Sequence, residues 1–437
     1  MDTVYVVILA AGRGKRFWPF ETNKALIRFF GKPLIVHNLE RFARAGFRKV
    51  ILVINPADVQ FYMDLVVPDM EIHTVIQQEA VGMGDALLRV REHIGNAPML
   101  VVNAEDVVSP DLYNELASNV DTGVSFLVGK KVDRYFDLGY LETHGDRVTG
   151  IVEKPGDGNQ PSDLVNLVFH YVDKPADFFD ILARQTSEQD DVYERALDTL
   201  LKKSPFQFIS YEDIWLPLKY PWHLLDMSTY FLTRMAKEYR GKNIHVAPSA
   251  ILDGPIHIED NVKIFDNTKI VGPVYIGKNT IIGNNSMIRE SHIGGGCVIG
   301  FNSDITRSYI GDNCWFHSNY VGDSVLEENV SIGSGSVLAN LRLDEGEISS
   351  VVGGKKLGTG RSKLGAMIGS FVRIGVNASI MPGVKIGADS FVGAGITVST
   401  DIPEQSFVSG TSDMTIAKNT KRVRELSRDS YKKKLSS

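Results

Sequence analysis

The sequence predicts a two-part chain: a doubly wound α/β domain with a mostly parallel sheet, then a parallel β-helix. Three observations carry this. Unbroken aliphatic runs alternate with helical patterns over the first half, an apolar residue recurs every six positions over much of the second, and the rhythm changes near residue 245. The expected boundaries are 1–240, 241–410 and a basic tail at 411–437.

Residues 4–9 read as a buried strand, and Pro33 reads as the first residue of a helix, where its fixed φ is favoured. That helix carries Leu34, Ile35, Leu39 and Phe42 at three-to-four spacing and ends near Gly46. A strand at 50–54, a helix at 59–66, a strand at 72–77, a helix at 86–94 and a strand at 99–103 follow. Repeated β-α-β units with purely aliphatic strands imply a parallel sheet covered on both faces. Ligands of such sheets bind beyond the carboxyl ends of the strands. Two groups fall there: the Gly12-Arg13-Gly14 loop and the run Asn103-Ala104-Glu105-Asp106. Residues 221–240 read as one amphipathic helix leading out of this domain.

In the second half Ile258, Ile264, Ile270, Ile276, Ile282 and Ile288 lie six apart. After slips of register, Ile368, Ile374, Ile380, Ile386, Val392 and Val398 do the same. With Leu, Ile and Val at roughly a fifth of residues, six in phase has a chance on the order of one in 10⁴. Glycine often follows, as in Ile276-Gly277 and Ile374-Gly375. An inward aliphatic and a turn every six residues make three short faces per coil, a solenoid stabilised by stacking. Residues 341–364 lack the ladder and read as a projecting loop. The tail, with Lys418, Lys421, Arg422 and Lys432, reads as a solvated cap.

Bulk properties exclude several classes. The net charge of −6 disfavours nucleic acid as the main partner. The apolar run at 4–11 is too short to span a bilayer, so no membrane partner is expected and the location is expected to be cytoplasmic. Two cysteines, Cys297 and Cys314, supply neither a disulfide framework nor a zinc spacing.

The loop after the first strand is the strongest motif. In Leu9-Ala10-Ala11-Gly12-Arg13-Gly14-Lys15-Arg16 the backbone N–H groups can form an anion nest, and Arg16 adds a delocalised cation. With Pro19 and Lys24, this run resembles the signature of the sugar-1-phosphate nucleotidylyltransferases. The solenoid resembles the left-handed β-helix of hexapeptide acyltransferases. Together they resemble the bifunctional bacterial and archaeal enzymes that make nucleotide sugars, such as N-acetylglucosamine-1-phosphate uridylyltransferase and glucose-1-phosphate thymidylyltransferase-like proteins.

That resemblance implies a sugar-1-phosphate attacking the α-phosphorus of a nucleoside triphosphate, with pyrophosphate leaving. Such a reaction needs fixed cations and N–H donors more than a strong base. Arg16 is expected on the β- and γ-phosphates, Lys24 near the α-phosphate and Asp106 on a magnesium ion. Leu9, Ala10, Ala11, Gly12 and Gly14 are expected around the nucleotide, with Gln77 and Gly82 reading the base, which favours UTP or dTTP. Gly139, Glu153, Lys154 and Asn166 match sugar-binding positions, for glucose-1-phosphate or N-acetylglucosamine-1-phosphate. Three departures bear on catalysis: Met83 follows the base-reading glycine, Glu105 precedes the metal Asp, and His223 stands where a second acid would join the metal. A regulatory nucleotide-binding protein with eroded catalysis is the alternative.

The same resemblance implies acetyl transfer from acetyl-CoA to an amino-sugar-1-phosphate in the solenoid, and a homotrimer built through it. His317 matches the general base, Tyr320 a sugar contact and Asn340 a ligand of sugar or acyl group; Arg289 and Arg307 could meet the sugar phosphate. The family's lysine six residues after that Asn is Gly346 here, with Lys355 and Lys356 further on, which predicts impaired or altered acetyl transfer.

Overall fold

The computed structural model describes residues 3–12, 14–189, 191–235, 238–410 and 418. The expected tail at 411–437, Lys418 apart, and Arg13 of the signature lie outside the described residues. The chain divides into two compact units. One comprises Met1–Arg13, Asn23–Ile27 and Lys32–Pro217; the other comprises Gly14–Thr22, Arg28–Gly31 and Leu218–Ser437.

The first unit is built on strands β1 (Tyr5–Leu9), β2 (Lys49–Ile54), β3 (Glu71–Ile76), β4 (Met99–Asn103), β5 (Asp106–Val108), β6 (Phe126–Lys131), β7 (Gly139–His144), β8 (Arg147–Glu153), β9 (Leu164–Val172), β10 (Phe206–Ser210) and β11 (Trp215–Pro217). Nine of them form one sheet in the order β3-β2-β1-β4-β9-β6-β10-β8-β7. Strands β3, β2, β1 and β4 are mutually parallel, and β9 enters antiparallel to β4 and β6. The aliphatic side chains of β1, β2 and β4 are buried on both faces in two clusters, one containing Val6, Ile8 and Leu52, the other Val7, Ile51 and Val53. That is why these strands read as unbroken apolar runs.

Helices α1 (Leu34–Arg44), α2 (Val59–Met63), α3 (Met83–Ile94), α4 (Pro110–Val120), α5 (Ala176–Leu182) and α6 (Val192–Lys203) complete this unit. Pro33 caps α1 from outside instead of opening it, because its ψ of 147° is still extended. Helix α2 stops at Met63, short of the expected 66.

The C-terminal stretch of the second unit, from Leu218 on, has α7 (His223–Thr233) as its first helix. The single helix expected over 221–240 is therefore shorter, and Tyr239–Arg240 instead pairs in parallel with His257 and Ile258 as the first rung of the solenoid. Three sheets of eight, nine and eight short strands follow, each strand parallel to the one a coil later. Both six-residue ladders line the interior without exception. At ~1.5–3 kcal/mol per buried aliphatic side chain, this column is the main source of the unit's stability.

The slips of register have a geometric origin. Ile264 faces Ile282 eighteen residues on, Ile282 faces Ile299 seventeen on, and Phe316 faces Ile332 sixteen on. The missing residues come from the corners. Several corners carry asparagine in the left-handed region, as at Asn261 and Asn279 (φ 60° and 61°), whose side-chain amides hydrogen-bond in a column.

Residues 341–364 are more ordered than the expected loop. Ile348–Val352 and Lys355–Arg361 form an antiparallel hairpin closed by Gly353 and Gly354, both with positive φ. A glycine pair between β-forming residues is a hairpin signal that the lysines and glycines around it obscured. Cys297 and Cys314 are free thiols buried in the solenoid core.

Candidate active sites

In the first unit the carboxyl ends of β1, β2, β3 and β4 open onto one edge. Leu9 pairs with Asn103, and the Ala104 N–H donates to the Leu9 carbonyl (3.3 Å), so the signature loop and the run at 103–106 leave the sheet side by side. Ala10 and Ala11 are buried, and the Asn23 amide closes the loop's neck by donating to the Ala10 carbonyl (2.8 Å) and to Asp58 (2.7 Å). At Gly12 no atom lies within 4 Å of where a Cβ would stand, leaving room for a ligand to approach its backbone.

Asp106 starts β5 and is nearly buried; the Trp215 indole donates to its carboxylate at 3.4 Å. Asn38, from α1, donates to the carbonyls of Ala104 and Asp106 (3.0 and 3.1 Å) and fixes the turn that aims the carboxylate. Lys24 lies in the single turn Lys24–Leu26. Its ammonium is 3.1 Å from Glu105, the residue flagged as a departure.

Gln77 follows β3 and is buried. Its amide nitrogen donates to the Gly82 carbonyl (3.0 Å) and to Asp85 (2.8 Å). Both amide hydrogens are thereby committed, and the carbonyl oxygen is what Gln77 has left for a base edge. Burial raises the Asp85 carboxyl, but hydrogen bonds from Arg89 and Gln77 outweigh it and hold the group below its ordinary value. Gly82 has φ 104°, a conformation open to glycine, and this lets its carbonyl turn back onto Gln77 at the head of α3.

The expected sugar positions meet on β7, β8 and β9. Gly139 pairs with Glu153, and a Cβ at Gly139 would stand 2.9 Å from the Glu153 carboxylate, so only glycine lets that carboxylate lie across the strand. Glu153 also pairs with Lys154 (2.7 Å). Asn166, next to the β7–β9 pairing at Val165, accepts from His170 Nε2 at 2.9 Å, and Tyr193 donates to His170 Nδ1 at 2.5 Å. Burial pushes the His170 imidazole down to about 3, so the neutral ring holds the Asn166 amide NH2 outward as a donor. His170, Tyr193, Asp85 and Asn38 were missed from sequence. Asn166 and His170 are spaced for one strand face, and Asp85 sits in the first turn after Gly82, so signals existed for both.

The second unit holds the remaining expected residues. Arg16 sits in the single turn Lys15–Phe17, behind Gly14 at φ 58°. His223 heads α7, and its Nδ1 accepts the Lys219 N–H (3.3 Å). No group of three His, Cys, Asp or Glu among the described residues could by itself cage a metal ion. A one-carboxylate magnesium site completed by substrate phosphates fits Asp106.

On the solenoid, Tyr320 and Asn340 converge: a Cβ on Gly322 would stand 2.6 Å from both the Tyr320 hydroxyl and the Asn340 amide nitrogen. Asn340 donates to Asp323, which also takes two bonds from Arg307 (2.7 and 2.8 Å). Burial, then the Asp323 and Asp304 charges, raise the Tyr320 phenol above its ordinary value. Arg289 is likewise held, by Asp304 at 2.9 Å. His317 is exposed on the turn before Tyr320, and no hydrogen bond to its ring is found among the described residues. The Gly346 N–H donates to Asp344 within its own turn, and Lys355 and Lys356 open the second hairpin strand.

An α/β sheet with a glycine-bearing loop after its first strand, joined to a solenoid of six-residue repeats, defines a nucleotidyl-transferring protein with a hexapeptide-repeat domain. Residues 5–216 match the Nucleotidyl transferase family, residues 255–290 the Bacterial transferase hexapeptide repeats, and residues 365–400 the Hexapeptide repeat of succinyl-transferase. The β-helix is thus of the left-handed hexapeptide kind expected above.

Over 413 residues the chain is 32% identical to the bifunctional sugar-1-phosphate nucleotidylyltransferase/acetyltransferase of Sulfurisphaera tokodaii, covering 90% of this chain and 97% of that one. It is 30% identical over 437 residues to the bifunctional protein GlmU of Methanococcus vannielii, covering 94% and 99%. The chain belongs to the bifunctional sugar-1-phosphate nucleotidylyltransferase/acetyltransferase family. No helix among the described residues is long and apolar enough to cross a membrane.

Proposed function

We propose that this protein joins a nucleoside triphosphate, UTP or dTTP, to glucose-1-phosphate or N-acetylglucosamine-1-phosphate and releases pyrophosphate. The observation that carries this is the strand edge where the Ala10–Gly12 backbone, Gln77 and the run to Asp106 leave β1, β3 and β4, with Lys24 held at Glu105 beside Asp106. Backbone N–H groups of the signature and Arg16 hold the β- and γ-phosphates, where negative charge grows as pyrophosphate departs. Lys24 exchanges Glu105 for the α-phosphate, and Gln77 offers its carbonyl to the N3–H of a uracil or thymine. Gly82 keeps Gln77 oriented. Glu153 and the Asn166 amide bind sugar hydroxyls beside Gly139, and Lys154 adds positive charge near the incoming phosphate. Asp106, with His223 as second ligand, would hold a magnesium ion, which offsets repulsion between the two anionic substrates. The division of labour follows 1–240 for this reaction and 241–410 for the solenoid.

In the solenoid, acetyl-CoA transfers its acetyl group to the amine of an amino-sugar-1-phosphate and leaves as the CoA thiol, with the transfer impaired or altered because Gly346 stands in place of a lysine. His317 takes the amine proton, while Tyr320 and Asn340 hold the acceptor. The solenoid builds a homotrimer, and the protein works in the cytoplasm. The deciding experiment is pyrophosphate release across UTP, dTTP, CTP and GTP against several sugar-1-phosphates. Arg16→Ala should remove nearly all of that signal, and nucleotide binding without turnover would instead establish the regulatory reading.

A further inference from the structure

Two pieces of N-terminal chain belong to the solenoid's compact unit. Gly14–Thr22 carries Arg16, and Arg28–Gly31 follows the Lys24 turn. The first is held through Glu327, on the turn after the solenoid strand Val325–Leu326. Glu327 is only 4% exposed. It accepts the Thr22 N–H at 2.8 Å, the Glu21 N–H at 3.2 and 3.3 Å, and the Ser370 N–H at 3.0 Å. Among the described residues no Lys, Arg or His pairs with it; three backbone amides, together with the Thr22 side chain, compensate its burial.

Further contacts fix the same loop. The Trp18 indole donates to Glu404 (3.2 Å), and its ring lies 5.0 Å from the buried Lys385 ammonium. The Pro19 carbonyl rests on Gly369, where a Cβ would come within 2.5 Å of it. The second piece is held by rings: Phe29 stacks on Phe231 at 4.5 Å, and the Tyr309 hydroxyl donates to the Arg28 carbonyl (2.9 Å).

Adhesion alone is served by apolar contact, which tolerates sliding. A buried carboxylate gripping two consecutive backbone N–H groups does not, because a shift strands an acceptor or a donor away from water. Such a contact fixes position at the cost of desolvating a charge. What it fixes begins five residues after Arg16, on a loop with its other end tied at Trp18.

We propose that Glu327 is a positioning residue for nucleotidyl transfer: from the β-helix, its carboxylate sets the posture of the loop that presents Gly14, Lys15 and Arg16 to the triphosphate. This rests on the reading of that loop as the triphosphate cradle. The full-length Glu327→Gln variant keeps the size of the side chain but replaces one acceptor oxygen with a donor that faces N–H groups. Its KM for the nucleoside triphosphate should rise about tenfold, with kcat within about twofold and KM for the sugar phosphate unchanged. Trp18→Phe, which loses the Glu404 bond, should reproduce the same split to a smaller degree and decides the matter if Glu327→Gln does not fold. An unaltered nucleotide KM in a folded variant overturns the proposal, as does an equal loss in both substrates' KM and in kcat. Arg16→Ala separates the two readings. If it retains pyrophosphate release, the cradle assignment itself is wrong; if it abolishes release while Glu327→Gln and Trp18→Phe stay normal, only the positioning role fails.

Discussion

The Lys24 ammonium rests 3.1 Å from the Glu105 carboxylate, with Asp106 the next residue along the chain. One of the three residues that depart from the family pattern, Glu105, is therefore the one that holds an expected catalytic cation. Both side chains are partly screened from water, so the pair is worth about 1 kcal/mol. Glu105→Gln should free the ammonium for phosphate and raise kcat/KM for the triphosphate by about fivefold. Steady-state pyrophosphate release measures this. A loss of tenfold or more would mean that Glu105 serves the reaction directly.

Gln77 has its amide nitrogen tied to Gly82 and Asp85, which leaves an acceptor for the base. Uracil and thymine present a donor at N3, whereas cytosine presents a lone pair. The mismatch leaves a buried acceptor unsatisfied, so UTP and dTTP should exceed CTP in kcat/KM by about 10–100-fold. Competition between the nucleotides at limiting concentration reads the ratio. Parity would remove Gln77 from base recognition.

Two histidines are kept neutral by burial. His170 is pushed down to about 3 and His292 to about 4; His292 lies between the rings of Tyr275 (4.6 Å) and Tyr309 (4.7 Å). As pH falls from about 6.5 towards 4, the unfolded chain binds protons at these sites that the folded chain refuses. Stability is full above that window and falls within it, by up to about 1.4 kcal/mol per pH unit for each histidine. Thermal unfolding followed from pH 7 to 4.5 should show a falling Tm, and His292→Phe should flatten the slope. A Tm that rises on acidification would contradict the neutral assignment.

Asp323 joins Arg307 to Asn340 beneath the Tyr320 hydroxyl. Asp323→Ala releases Asn340 and leaves a guanidinium unpaired, so thiol release from acetyl-CoA with glucosamine-1-phosphate or galactosamine-1-phosphate should fall about 10–100-fold. Pyrophosphate release should be unaffected. Equal acetyl transfer by variant and parent would dismiss this cluster as the acceptor site.

The sequence by itself determined what depends on period and on short-range geometry. Strands β1, β2 and β4 were legible because burial on both faces demands unbroken Val, Ile and Leu. The solenoid was legible because each coil repeats the same inward position, from Ile258 to Ile288 and again from Ile368 to Val398. The signature loop was legible because its glycines and cations are consecutive. Tertiary structure decided everything that rests on partners distant along the chain. Tyr193 reaches His170 across 23 residues, Glu105 reaches Lys24 across 81, and Glu327 reaches Thr22 across 305. Tyr239 and Arg240 became solenoid rungs instead of a helix end because an open sheet edge offered them backbone hydrogen bonds. A pairing energy of that kind belongs to two segments at once, and no property of either segment alone encodes it.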